Sequence, residues 1–327
     1  MELVRDKGEI GARITAMRIL TPLAEDVFQE LDALRACKRN AKAGEEQPAG
    51  CLFAESQYGK SEAIKMYIET RVVDDCFARG LFPMTTSRER ATELQKLVLH
   101  VSLPENTRIK SMMMWLLVAL NDPQPARGTV EQQVHRAHKL MQLHRTELIV
   151  FDEVNHLRTP KNIAASTKDD AHSVHNHLKG LLIRGYPIMF VGIPEAEEKL
   201  FQERQIKRRM MHRVEPRVLE YRDDVQKAIF HDFCSDLSIS LVEKGITEEF
   251  SNFISDDILA GLFEASGGLL GGVVRIVWKA SELAFLDRSR RVERDHLSKA
   301  VSRIAVGVFC DENPFVSATT NHREVRL

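Results

Sequence analysis

Nothing in the 327-residue sequence is long and apolar enough to span a bilayer. The opening Met1-Glu2-Leu3-Val4-Arg5-Asp6 starts no signal peptide. Both absences lead to the expectation of a cytoplasmic protein with no membrane partner. Net charge is almost missing as well: 46 Lys and Arg face 47 Asp and Glu, leaving −1. There is no global pull toward nucleic acid, so any such contact must come from local basic clusters. Cysteine is scarce and scattered. Cys37, Cys51, Cys76, Cys234 and Cys310 show no CxxC spacing, which speaks against a disulfide framework or a zinc site and for reduced, buried thiols. Aromatic residues make up only 6%, while Leu, Ala, Glu and Arg are common, so the composition leans helical. The length suggests two or three structural units with ample sequence for a core. His172, His175 and His177 fall in one stretch, where a solvated polar helix is a better reading than a metal site.

One stretch organises what is present. Gly50-Cys51-Leu52-Phe53-Ala54-Glu55-Ser56-Gln57-Tyr58-Gly59-Lys60-Ser61 runs from an apolar segment through a turn into a segment that reads as a helix. Strand, loop and helix N-terminus in that order form a phosphate-binding layout. Backbone N–H groups and the helix dipole face the phosphates, here from Ser56, Gln57, Tyr58 and Gly59, while a lysine supplies a point charge and a hydroxyl supplies a metal ligand. Lys60 and Ser61 take the last two roles, with Mg²⁺ as the metal. Ala54 stands where the pattern asks for glycine, which costs little only if that residue keeps a negative φ. On these residues alone the nucleotide reading is the better one, and a polar turn that happens to contain Gly-Lys-Ser is the alternative.

A second stretch decides between the two. Leu148-Ile149-Val150-Phe151-Asp152-Glu153 is an unbroken apolar run closed by two acids, about ninety residues after Gly-Lys-Ser. Strands of a parallel sheet buried on both faces read in this way, and ligands gather at their C-terminal ends. Asp152 then holds Mg²⁺ through its water shell, and Glu153 polarises the attacking water. Solvated acids at a strand end are common, but the two motifs together mark a nucleotide site.

The remaining pattern predicts an α/β fold, a parallel sheet flanked by helices with a helical C-terminal part. Strands are expected at Cys51 to Ala54, Leu94 to Leu103, Leu148 to Glu153 and Pro187 to Gly192. Helices are expected at Pro22 to Lys38, Lys60 to Val73, Thr107 to Leu120, Val130 to Arg145 and His172 to Leu182. Cys76 to Phe82 and Thr85 to Glu93 read as a linker or hairpin, Arg158 to Asp170 as a polar loop, and the first 20 residues as loosely packed. The expected segments are an N-terminal helical stretch (1–45), a nucleotide-binding core (46–222), a helical lid (223–308) and a flexible tail (309–327). Arg204, Lys207, Arg208, Arg209, His212 and Arg213 cluster within ten positions. This is a solvated helix face, an arginine finger for a neighbouring subunit, or a nucleic-acid contact, the first being the plainest reading. Gly267-Gly268-Leu269-Leu270-Gly271-Gly272 permits a tight entry into a helix carrying Arg275.

Together these features resemble an AAA+ ATPase, and more narrowly the TnsC/TniB family of transposition regulators, over roughly residues 20 to 300. Phe53 to Ser61, Leu148 to Leu157, Ile188 to Ala196 and Gln205 to Met210 carry the resemblance. It implies an ATP- and Mg²⁺-dependent protein that assembles as a homo-oligomeric ring or filament on double-stranded DNA. Such a protein links a target-selection protein to a transposase. It implies Arg208 or Arg209 as the finger acting on a neighbouring subunit, Arg275 as the lid sensor, and Asn106, Thr107, Arg108 and Lys110 as DNA-facing residues. Ile193 stands where a polar residue is usual, so tight ATP binding with slow turnover is expected. Two other classes stay open. One is a STAND-type signalling or defence ATPase that binds protein partners without DNA. The other is a replication-type loader, for which residues after 307 leave little room.

Overall fold

The computed structural model describes residues 2–157, 168–201, 204–216 and 218–317, apart from the side chains of 168–173 and 256. Contacts divide the chain into two units. One comprises Met1–Thr21, Gln57–Gly59 and Arg217–Leu327, and the other Pro22–Ser56 and Lys60–Pro216. The first element, Lys7–Thr15 (α1), belongs to the former, helical unit.

The sheet unit opens with Pro22–Asn40 (α2), then Ala49–Phe53 (β1) and Lys60–Tyr67 (α3). A π-helical turn over Ile68–Val72 joins α3 to Val73–Ala78 (α4), and Arg88–Leu94 (α5) follows. Val98–Ser102 (β2), Ile109–Ala119 (α6), Val130–Leu143 (α7), Leu148–Asp152 (β3), Lys168–Ile183 (α8) and Ile188–Gly192 (β4) come next. Pro194–Leu200 (α9), Arg204–Lys207 (α10) and Met210–Val214 (β5) complete the unit. The five strands are parallel in the order β2-β3-β4-β1-β5.

Alternation along the strands separates two cores. Ile149, Phe151, Ile188 and Phe190 face Met112, Leu116, Met141 and Leu178. Val150, Leu148, Met189 and Val191 face Leu31, Leu34, Ile64 and Tyr67. Residues one apart on a strand point to opposite faces, which is why uninterrupted apolar runs are needed. Register aligns the strand ends: Phe53 pairs with Gly192, and Ser102 with Asp152. The exits of β1 and β3, which carry Lys60, Ser61, Asp152 and Glu153, therefore lie along one edge of the sheet, whereas Arg208 and Arg209 precede β5 at the opposite edge.

Several local expectations are corrected. Most of the expected linker or hairpin is helical, because Ser87 caps α5 by accepting from the Arg90 N–H. The second strand begins only at Val98, since Leu94 still belongs to α5. The basic cluster ends in a strand: Met211 is exposed and Val214 buried on β5, an edge strand carrying charge. The polar loop expected from Arg158 falls outside the described residues up to 167.

Within the sheet unit lies a buried ion network. The Arg35 guanidinium donates to Glu147 at 2.9 Å, Asp75 at 2.5 Å and Tyr67 at 3.1 Å, and Arg79 donates to both acids. Burial alone would lower the Arg35 pKa, but Tyr67, Glu147 and Asp75 outweigh it and raise it.

The helical unit contains α1, Asp224–Glu243 (α11), Asp256–Ser266 (α12), Leu270–Leu286 (α13), Arg294–Ile304 (α14) and Pro314–Ser317 (α15). Phe230, Leu237, Leu262, Ile276 and Leu297 fill its core. The start of the chain is packed, contrary to expectation. Ile10 and Ile14 join this core, Asp6 caps α1, and Gly11 lies so near Trp278 that a Cβ would sit 2.7 Å from the indole. Phe315 is buried against Gly261, so the expected flexible tail is packed that far, and residues 318–327 lie outside the described part.

Candidate nucleotide site

The loop after β1 turns through two left-handed residues, Gln57 (φ 71°) and Gly59 (φ 81°). Ala54 is not among the positive-φ residues. Its backbone N–H instead donates to the Gly192 carbonyl at 3.1 Å, continuing the sheet. The missing glycine therefore carries no φ penalty at position 54. Gln57 carries the strain expected of a non-glycine residue in that region. Gly271, in the first turn of α13, approaches this residue closely: a Cβ there would lie 2.2 Å from the Gln57 carbonyl oxygen. Gln57–Gly59 accordingly group by contacts with the helical unit.

Lys60 begins α3 and is buried. Its ammonium donates to the carbonyls of Ala54 at 2.6 Å and Glu55 at 2.7 Å. Burial lowers its pKa, opposed by Glu153, Asp152 and Glu55. Ser61, the next residue, donates its hydroxyl to Asp152 Oδ2 at 2.7 Å. With the proton committed to Asp152, the hydroxyl lone pairs remain available to a cation. Hydroxyl and carboxylate are the hard oxygen donors that suit Mg²⁺ shared with phosphates. No cluster of three or more His, Cys, Asp or Glu suited to a metal occurs among the described residues. The donor set thus fits an ion completed by a nucleotide better than one caged by protein alone.

Asp152 ends β3 and is 3% exposed. Burial would raise its pKa, but hydrogen bonds from His100 and Ser61 outweigh it and lower the pKa below the usual aspartate value. His100 Nε2 lies 3.1 Å from Oδ2, and the Glu153 N–H donates to Oδ1 at 2.9 Å. Glu153 adopts the left-handed conformation (φ 58°, ψ 41°) and caps a short 3₁₀ turn over Val154–His156. His156 Nδ1 bonds the Leu103 carbonyl at 2.8 Å, and the Thr107 N–H donates to the His156 carbonyl. The exits of β2 and β3 are stitched together in this way.

The other expected residues separate. Arg209 is tied to Glu46 and to the Gln205 carbonyl. Arg213 forms a bidentate pair with Glu197. Arg208 is exposed on the turn after α10, and among the described residues its guanidinium has no ion-pair partner. Arg275 lies one turn beyond Gly271 on α13, its guanidinium 6.0 Å from the Phe309 ring centroid. Of the proposed DNA-facing set, Asn106, Arg108 and Lys110 are exposed. Thr107 is not: it is 1% exposed, with its hydroxyl donating to the Pro104 carbonyl, and serves as a structural tie.

The model of the bacterial TniB protein family matches residues 13–220, well over half the chain. The chain belongs to the TniB family. No curated protein matches it in sequence. Among solved structures, this TniB-family protein is similar to the ORC1 protein of Aeropyrum pernix in complex with DNA. The identity is 14% and the TM-score 0.61, covering 92% of this chain and 69% of that one. It is also similar to Cdc6p of Pyrobaculum aerophilum, with 14% identity and TM-score 0.59, covering 93% and 72%. The ORC2 protein of A. pernix, described as ADPNP-ADP complexes, matches at 12% identity and TM-score 0.57, covering 92% and 72%. The parallel sheet with flanking helices and a helical C-terminal region is the expected AAA+ fold.

Two residues beside the candidate site escaped the sequence reading. His100 sits in an ordinary-looking apolar strand and meets Asp152 only through strand pairing. Asn155 follows the acid pair, its buried Oδ1 without a hydrogen-bond partner among the described residues. That oxygen lies 3.2 Å from where a Gly192 Cβ would be. A polar side chain two residues after Asp-Glu was the available signal.

Proposed function

We propose that this protein is an ATP-dependent DNA-binding regulator of transposition. In this reading it oligomerises as a ring or filament on double-stranded DNA and links a target-selection protein to a transposase. The contact between Ser61 and Asp152, beside buried Lys60 at the C-terminal edge of a parallel sheet, carries the nucleotide part of the reading. Family membership carries the transposition part. The DNA complex of the similar ORC1 structure, and the exposed Arg108 and Lys110, support the DNA part.

Backbone groups of Ser56, Gln57, Tyr58 and Gly59 and the Lys60 ammonium hold the phosphates. Ser61 and Asp152 hold Mg²⁺, which when bound neutralises charge on the phosphate oxygens. Glu153 orients and polarises the attacking water, and Arg275 is the sensor residue. Arg208 acts on the nucleotide of the next subunit, since Arg209 and Arg213 are already paired. Ile193 supplies no polar group at the end of β4, consistent with slow, assembly-dependent turnover.

The test is electron microscopy and ATPase assay with and without duplex DNA, using Lys60→Ala and Glu153→Gln. Lys60→Ala should lose DNA assembly, whereas Glu153→Gln should assemble with ATP and fail to hydrolyse it. Affinity for DNA should fall steeply with salt, because phosphate contacts release counterions. Salt-insensitive assembly without DNA would favour a STAND-type ATPase instead.

A further inference from the structure

His100 lies on β2 two residues before Ser102, the register partner of Asp152. Residues two apart on a strand share a face. The pairing therefore puts His100, Val150 and Asp152 on the sheet face that packs against Ile64 and Tyr67 of α3. Oδ2 of Asp152 is held from two elements: by Ser61 of α3 at 2.7 Å and by His100 of β2 at 3.1 Å. An ionised carboxylate only accepts hydrogen bonds, so the His100 imidazole must carry a proton on Nε2. The two anchors are not equivalent. Ser61 is itself a ligand in the nucleotide reading, so its hydroxyl moves with the cation it binds. His100 is anchored in the sheet and fixes the carboxylate independently.

We propose that His100 is a positioning residue for the divalent metal of this site; the inference rests on the nucleotide reading above. It presets the Asp152 carboxylate, so that metal binding need not order it. Loss of such an outer partner typically weakens metal affinity by about 10–100-fold. Phosphate binding by Lys60 and the loop does not pass through His100. Metal-free nucleotide affinity is therefore independent of it.

The surroundings of His100 provide a direct test. The residue lines a cavity of about 290 Å³ together with Lys65, Gln95, Lys96 and Asn121. Free imidazole can thus reach the place of a deleted side chain. Mn²⁺ binding is to be followed by electron paramagnetic resonance with a non-hydrolysable ATP analogue present. Binding of the same analogue in EDTA is measured in parallel. His100→Gly is expected to weaken Mn²⁺ binding by about 10–100-fold, to leave metal-free analogue binding unchanged, and to recover Mn²⁺ affinity when imidazole is added. His100→Phe, which keeps bulk but cannot donate, should lose Mn²⁺ affinity without rescue, so the test survives if the glycine variant fails to fold. Wild-type Mn²⁺ affinity in His100→Phe overturns the proposal. So does a loss in His100→Gly that imidazole does not restore and that extends equally to metal-free binding. If the wild-type protein binds no analogue in either condition, the nucleotide reading itself fails, and this inference with it.

Discussion

The sheet unit and the helical unit treat buried polarity in opposite ways. Every Arg, Lys, Asp and Glu buried among the described residues, namely Arg35, Lys60, Glu147 and Asp152, lies in the sheet unit. The helical unit buries hydroxyls and one histidine instead. Its Ser238 and Ser251 satisfy each other, Ser238 Oγ donating to the Ser251 carbonyl at 2.7 Å and the Ser251 N–H returning to Ser238 Oγ at 3.0 Å. Burying a charge costs several kcal/mol unless partners offset it. A fold keeps such groups where chemistry or a closed network requires them. Lys60 and Asp152 belong to the candidate site. Arg35 and Glu147 belong to the network joining α2, α4 and the start of β3. The helical unit has no comparable cost among its described residues.

That contrast can be broken by substitution. Arg35→Met should have the largest effect, because it removes the buried cation shared by Glu147 and half-buried Asp75 and leaves them only the part-exposed Arg79 and Arg39. About 3–5 kcal/mol of stability should be lost, read from urea unfolding of the full chain, with Glu147→Gln in the same background recovering part of it. Leu262→Ala, in the core of the helical unit, should cost about 2–5 kcal/mol through a cavity, and no second polar substitution should restore it. An Arg35→Met variant as stable as wild type would show that the network is not what distinguishes the sheet unit.

The smallest effect concerns acid. Asp152 has its pKa lowered in the folded protein. Its contribution is therefore fully present above the unfolded value, about pH 4, and is lost as pH falls through the lower folded value. Acid unfolding of wild type below about pH 4 should be steeper than that of Asp152→Asn, which has no proton to take up. Equal slopes by circular dichroism would show that Asp152 is not held ionised by Ser61 and His100.

Much of the candidate site's local geometry was legible because its signals are local. Gly59-Lys60-Ser61 needs only its own turn, and Asp152-Glu153 only the end of its own apolar strand. The sheet core was legible for the same reason: Leu148 to Phe151 and Ile188 to Val191 are apolar at every position because both faces of the sheet are covered. What escaped was non-local or masked by polarity. The alternating, charged β5 looks like a solvated helix, since an edge strand carries no continuous apolar run. Thr107 looked available because its type is polar, yet its hydroxyl is spent on Pro104. Arg208 and Arg209 are indistinguishable in sequence, and contacts of Arg209 with the Gln205 carbonyl and with Glu46, distant along the chain, separate them.

By itself the sequence determined the strand–loop–helix layout around Gly59-Lys60-Ser61, the α/β class and the helical end, because glycine placement, strand hydrophobicity and helical spacing act over a few residues. Tertiary structure decided which of those residues meet. It gave Ala54 a sheet hydrogen bond in place of a turn, placed His100 against Asp152, buried Arg35 among its acids, and brought Gly271 against Gln57. Each of these depends on register or on a close approach between segments far apart in the chain, and no short-range pattern encodes either.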